Sequence, residues 1–392
     1  MRWLVLLACT TLCACALQPA VQINPEPLFD DAAFQHRSAP ANTDVFALSD
    51  AMRRFLYTEI GPQLPRKGRL EGFVDAIRNG KWLKLKYDSS STRTAAEAFD
   101  ARAGNCISLV IMTAALAKEL GLPVYYQQVF SEDTWSRDAG ILFRSEHVNL
   151  TLQKRLVDDD NWGDQDWRIT IDFLPSEDVR GYRTHDLAER TVIAMFMNNR
   201  AAESLARGQL NSAYWWAREA ILRDNGFLDA YNTLGVVFNR HGNLGEAERV
   251  FRRLLQREPD NPTFISNLAA VLTAAGQEQA AQLLLQKLQR IEPFPPFYFT
   301  DQAQLAMKRG DYETAIGLFK QELARHPDYH ATQFGLAVAY FKLGNVASAR
   351  EHLTAAMQDS TTPRDHDLYA AKLEWLRFHQ TNERSTIRDQ VQ

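Results

Sequence analysis

The chain has 392 residues, enough for two or three domains. Its hydrophobic fraction of 45% and charged fraction of 23% are ordinary for a globular protein. A net charge of −4 gives no reason to expect a nucleic-acid partner.

Of the four cysteines, Cys9, Cys13 and Cys15 fall in "MRWLVLLACTTLCACALQP" and only Cys106 lies beyond it. Arg2 precedes an apolar run from Trp3 to Ala14 that is too short to span a bilayer comfortably. Residues 1–14 therefore read as an export signal. "LCAC" resembles the lipobox of bacterial lipoproteins, which implies lipidation of Cys15 and a membrane anchor. Ala14 and Ala16 also fit an ordinary small-x-small cleavage site. Ala16 after the cysteine resembles lipoproteins sent to the outer membrane, so the expected location is the bacterial envelope, facing the periplasm. Either cleavage leaves Cys106 without a disulfide partner. A lone thiol in an oxidising compartment needs deep burial or chemistry to account for it. Residues 15–43, with Pro19, Pro25, Pro27 and Pro40, read as a tether without fixed structure.

Residues 44–190 form the next unit. "TDVFALSDAMRRFLYTEI" and "RLEGFVDAIRN" have helical apolar spacing. "STRTAAEAFDARAGNC" leads into the helix "ISLVIMTAALAKEL", apolar around most of its circumference and closed by Gly121. "PVYYQQVF", "SEHVNLTLQ" and "WRITIDFLP" read as strands, which gives an α+β layout. Cys106 opens the buried helix, where unpaired N–H groups favour a thiolate. Period-two alternation turns His147 and Asp172 away from the apolar strand faces. A hairpin turn centred between Asp159 and Asp160 sets them directly opposite. Gly163 is a rival centre that takes them out of direct opposition; a diagonal pair, roughly 7–8 Å apart, would still be in reach.

This order of elements resembles the transglutaminase-like superfamily, with its papain-like thiol core. The resemblance covers residues 90–178 and rests on "TAAEAFDARAGNCISLVIMTAALAKELGLPVYYQQV", "EHVNL" and "TIDFLP"; "GNCISL" is similar to the SirB-like bacterial branch. It implies a catalytic Cys106, His147 as its base, and Asp172 orienting the imidazole. The Cys106 N–H is the natural first oxyanion donor. The second is open, with Gln127 and Gln128 on the following strand. His185 falls past the strands in a polar linker. "DDDNWGDQD" loosely echoes a calcium loop through Asp158, Asp160 and Gly163, but Trp162 stands where an oxygen ligand belongs. "NLT" at Asn149 matches a glycosylation acceptor, which the strand location and the resemblance to a bacterial lipobox make irrelevant. No zinc spacing, P-loop or dinucleotide fingerprint appears, so no metal or cofactor is expected.

From residue 191 the chain repeats itself. Gly208, Gly242, Gly276, Gly310 and Gly344 are 34 residues apart, and Ala213, Ala247, Ala281, Ala315 and Ala349 keep the same period. Period and residue types are similar to tetratricopeptide repeats, which implies five helix pairs over 191–363 stacked as an all-α superhelix. Residues 364–392 read as a capping helix and tail. Met197 and Arg200 make the first repeat degenerate, as suits packing against the preceding domain. The family's pattern lines a concave groove with Asn198, Asn232, Val236, Asn239, Arg240, Ser266, Met307, Phe334, Phe341 and Lys342, suited to a protein or peptide ligand. The expected protein is an envelope lipoprotein whose cysteine performs acyl transfer through a thioester, as a peptidase, amidase or transamidase, on a chain recruited by the array. The alternative is a catalytically inactive assembly lipoprotein using the groove as a scaffold.

Overall fold

The computed structural model describes residues 28–35, 43–78, 83–138, 141–154, 168–173, 183–360 and 362–390. Helices α1 (Asp50–Phe55), α2 (Leu64–Lys67) and α3 (Arg69–Arg78) come first, α1 running on through a π-helical turn. Strand β1 (Lys86–Tyr87), α4 (Ala95–Ala101), β2 (Ala103–Gly104) and α5 (Cys106–Glu119) follow. Then come β3 (Val124–Asp138), β4 (Ile141–Gln153), β5 (Arg168–Ile171) and β6 (Arg183–Leu187).

The last four strands form an antiparallel sheet in the order β5-β4-β3-β6, and β1 pairs with β2 in parallel. Residues Ile107 to Ala117 of α5 are all buried, as its unbroken apolar run requires. They share one core with Tyr126, Val148, Leu150, Leu152 and Ile171 from the apolar face of the sheet. Strand β6 corrects the reading of His185 as linker: it pairs with Gln128 at the sheet's edge. "RTHDL" lacks the apolar alternation that announces a strand, because an edge strand exposed on both faces needs none.

The repeats form five helix pairs. They are α6 (Glu189–Ala206) with α7 (Leu210–Arg223), α8 (Leu228–His241) with α9 (Leu244–Arg257), and α10 (Pro262–Ala274) with α11 (Glu278–Ile291). The last two are α12 (Tyr298–Arg309) with α13 (Tyr312–Arg325) and α14 (His330–Lys342) with α15 (Val346–Gln358); α16 (Pro363–Gln390) closes the stack. The periodic glycines all take positive φ, 71° to 93°, at the ends of first helices, where a left-handed residue is needed.

Two features depart from the sequence reading. First, residues 28–35 are not free tether. Phe34 is buried and stacks on Tyr214, ring centroids 4.0 Å apart. The Asp30 N–H donates to the Tyr214 hydroxyl, Asp31 pairs with Arg218, and the Trp215 indole donates to the Gln35 carbonyl. Two phenylalanines in a proline-rich, polar stretch are enough to pin it. Second, the stack is interrupted. α7 packs on α8, α9 on α10, α13 on α14 and α15 on α16, but α11 makes no comparable contact with α12. Pro293, Pro295 and Pro296 break the chain there, and Phe297 adopts a left-handed φ of 66°. Buried Glu322 holds that turn by accepting from the main-chain N–H groups of Phe297, Phe299 and Thr300. The core of α6–α11 is continuous with that of the first domain, whereas α12–α16 build two small cores of their own.

Candidate functional site

The segment before Cys106 is built to place it. Thr94 and Glu97 form a capping box that starts α4, and Arg102, at φ 53°, ends it in the left-handed region. Gly104 follows because a Cβ there would lie 2.7 Å from the Ser108 Cβ. Asn105 caps α5, its Oδ1 accepting from the Ser108 N–H at 3.0 Å. "RAGNC" is thus a reversal that delivers Cys106, half-buried, as the first residue of the buried helix.

Strand β1 runs beside this reversal. The Asp88 N–H donates to the Gly104 carbonyl, and Tyr87 pairs with Gly104. The Tyr87 hydroxyl lies against the Cys106 main-chain N–H; burial and the nearby sulfur push its pKa up. Burial also works against ionised Asp88, but hydrogen bonds from Ser90 and Arg93 outweigh it and hold the carboxyl below its usual range.

His147, Asn149 and Thr151 are buried polar residues on one face of β4. Register pairs Leu150 with Ile171, so Asn149 lies across from Asp172 and His147 is the diagonal neighbour. The side chains still meet: His147 Nε2 lies 2.7 Å from both Asp172 carboxylate oxygens, and Asn149 Nδ2 donates to Asp172 Oδ2 at 3.3 Å. A bulge in β3 begins one step beyond His147, after Val129, a device that re-aims strand side chains. Burial opposes the imidazolium, but the hydrogen bonds to Asp172 and the Cys106 thiol prevail and push the His147 pKa up to about 9. With Nε2 held by Asp172, Nδ1 is the nitrogen left for the thiol. The structure therefore brings Cys106, His147 and Asp172 together. Such a set can move a proton between the sulfur, the imidazole and a bound group.

Sequence reasoning missed Tyr87 and Asn149. Asn149 had a signal, two residues from His147 on the same face; buried where it is, it is also closed to glycosylation. Tyr87 had none, because only the β1–β2 pairing brings it to Cys106. Gln127 turns to Thr151, accepting its hydroxyl at 3.0 Å. Cys15 and the acidic loop with Asp158, Asp160 and Gly163 lie outside the described residues. Among the described residues, no group of three acidic, His or Cys side chains could hold a metal, and no helix is long and apolar enough to cross a membrane.

The groove residues are spread along the array. Asn232 accepts from Asn267 at 2.8 Å, and Asn239 and Arg240 stand near the end of α8. Asn198 Oδ1 has no hydrogen-bond partner among the described residues although the atom is buried. Phe334 stacks on Tyr369 of α16, and Phe341 meets Trp375 edge-on, so the closing helix covers part of these two.

Residues 239–304 and 300–361 each match the tetratricopeptide repeat family. The chain is 29% identical over 136 residues to cellulose synthase operon protein C of Pseudomonas fluorescens (strain SBW25), spanning 33% of this chain and 11% of that relative's length. Among solved structures it is similar to TTC0263, a thermophilic TPR protein of Thermus thermophilus, at 18% identity over 46% of this chain and 98% of that one, TM-score 0.30. It is also similar to YrrB, a TPR protein with an unusual peptide-binding site, at 21% identity over 46% and 92% of the two chains, TM-score 0.25. The helix pairs and the family matches agree: the C-terminal region of this chain is a tetratricopeptide repeat array.

Proposed function

We propose that this protein binds a protein or peptide through its repeat array, as a scaffold that holds the partner beside the first domain. The carrying observation is the array itself, helix pairs whose unit is built to stack and present a groove. If so, Asn232→Ala with Asn239→Ala abolishes cross-linking of the partner, while Cys106→Ala leaves it intact. Loss in the thiol variant alone would move binding to the first domain.

A second reading adds chemistry, and one observation favours it: His147 Nε2 lies 2.7 Å from Asp172, and the Cys106 thiol is among the groups that raise the imidazole pKa. In this reading the first domain is transglutaminase-like with a papain-like core. The Cys106 thiolate attacks a carbonyl carbon, His147 gives its proton to the departing amine, and a thioester remains. His147 then takes a proton from water, whose oxygen attacks the thioester carbon; the C–S bond breaks, the carboxylic acid leaves, and the imidazolium returns its proton to the sulfur, while an amine acceptor gives an amide instead. In this reading the Cys106 N–H at the helix start, with the Tyr87 hydroxyl, serves as donor to the oxyanion. Iodoacetamide tests this directly. Cys106 should alkylate quickly at pH 6, and His147→Ala should slow it roughly 100-fold, the low end of what a positioned acid–base group contributes. Equal, slow rates in both would leave the scaffold reading alone. Lipid anchoring through Cys15 at the outer membrane belongs to the same proposal, and labelled fatty acid lost in Cys15→Ala would support it.

A further inference from the structure

The hydrogen bonds that frame Cys106 do not stop at the edge of the first domain. Asn105, the cap of the cysteine's helix, has both ends of its amide committed. Its Oδ1 accepts from the Ser108 N–H at 3.0 Å and the Ser108 hydroxyl at 2.7 Å, and its Nδ2 donates to Thr92 Oγ1 at 2.8 Å. Thr92 is fully buried, and both of its main-chain groups are gripped by the first repeat. Its N–H donates to Glu203 Oε1 at 2.5 Å, and its carbonyl accepts from Arg200 Nη1 at 2.9 Å. The array orients both grips: Arg200 lies over the Trp216 ring of α7, and Arg207 stands 3.9 Å from Glu203 Oε2.

We propose that Arg200 and Glu203 of the first repeat are positioning residues for Cys106, acting through Thr92 and the Asn105 cap. The inference rests on the thiol-chemistry reading above. A cap residue whose amide is buried has two orientations, and only the one that leaves Oδ1 facing Ser108 satisfies the helix start. Thr92 Oγ1 selects that orientation. Thr92 belongs to an irregular stretch between β1 and α4, and what fixes its main chain from outside is the α6 pair. Without the pair, the cap amide loses its partner, the first turn of α5 loosens, and the sulfur shifts against the imidazole. The first repeat is thus part of the site's frame as well as of the array.

The test uses the full chain. Iodoacetamide rates are measured from pH 5 to 9, and amide hydrogen exchange is followed in a peptide covering 105–109. Glu203→Ala should slow alkylation at pH 6 roughly tenfold, a fraction of the 10²-fold that a 1 Å misplacement costs, and change the shape of the pH profile. Ser108 should exchange faster in the same variant. Glu203→Gln keeps an oxygen for the Thr92 N–H and should return within about twofold of the parent rate. Lys118→Ala cuts a different contact between the same regions, the ion pair with Glu189, and should change neither readout. A parent-like Glu203→Ala in both readouts overturns the proposal, as does equal slowing in Lys118→Ala, which would mean general loosening. If His147→Ala leaves the parent rate unchanged, the thiol-chemistry reading fails instead. Exchange at Ser108 then still decides whether the clamp holds the cap.

Discussion

Helices α9 and α13 lie two periods apart and carry phenylalanines, Phe251 and Phe319, in the same register, yet they belong to different bodies. Phe251 sits in a core that runs unbroken from Leu28 through the sheet to Ala281. Phe319 sits in a cluster of six buried residues confined to α12–α14. Repeat arrays sum the strength of neighbouring contacts, so an interrupted stack is two systems rather than one. The front repeats have become part of a globular domain and share its fate. The back repeats are an arm attached through the proline turn at 293–297, with Leu283, Leu285 and Ile291 of α11 left exposed beside it.

Phe34→Ala should break the front body most. It removes a ring that is 3% exposed and stacked on Tyr214, and a buried Phe→Ala change costs about 3–5 kcal/mol. Residues 28–35 should become protease-sensitive, and the front unfolding transition should fall in temperature while the back arm's does not. Equal protection of that segment in both proteins would show that the strap contributes nothing to the front body.

Asp172→Asn separates the site from its scaffold. The carboxylate is the first of the groups that offset burial at His147, ahead of the Cys106 thiol, so the imidazole midpoint should drop from about 9 by roughly 1–3 units in the variant, read by ring-proton NMR. A histidine pKa raised above 6.5 contributes stability that is fully present below pH 6.5 and lost as pH rises through about 9. The parent should therefore lose stability relative to Asp172→Asn across that window. A variant midpoint still near 9 would mean that Asp172 does not set the imidazole's charge.

How much of this the sequence disclosed depends on the range of the forces involved. The array was legible because one 34-residue solution is written five times, and each glycine answers a local backbone need. Cys106 was legible from the local signals of a helix start, and His147 and Asp172 from strand alternation, which also put Asn149 on their face without giving it a role. Arg200 was half-legible: its break with the repeat pattern pointed to packing against the first domain, but not to Thr92. Tyr87 and Glu203 were not legible, because their partners are 15 or more residues away and nothing in "KYDSS" or "AAES" marks a contact made only after folding. The break between α11 and α12 was half-written: three prolines stand in "EPFPPFYF", but the 34-residue period runs straight through them. The strap was hidden because composition speaks for the average of residues 15–43 and Phe34 is one ring.

The smallest expected effect is the sharpest comparison. A Cβ on Gly235 would stand 2.6 Å from the Phe251 Cζ, and one on Gly335 would stand 2.6 Å from the Phe319 Cζ. Both glycines lie inside helices, so the left-handed region is not involved and the insult is the same overpacking, about 1–3 kcal/mol. The consequences should differ. Gly235→Ala presses α8 from α9 inside the shared core, so it should lower the front transition and, through α6, speed exchange at the Ser108 amide. Gly335→Ala presses α14 from α13 within the back arm, so it should lower only the back transition and leave Ser108 exchange and Cys106 alkylation at parent values. Differential scanning calorimetry of the two variants reads the outcome. One transition shifted equally by both substitutions would mean that the stack couples across the proline turn, and the division of the molecule into a body and an arm would be wrong. Two transitions, each moved by its own glycine, would mean that a ligand gripping the arm reaches the thiol only by engaging the front repeats as well.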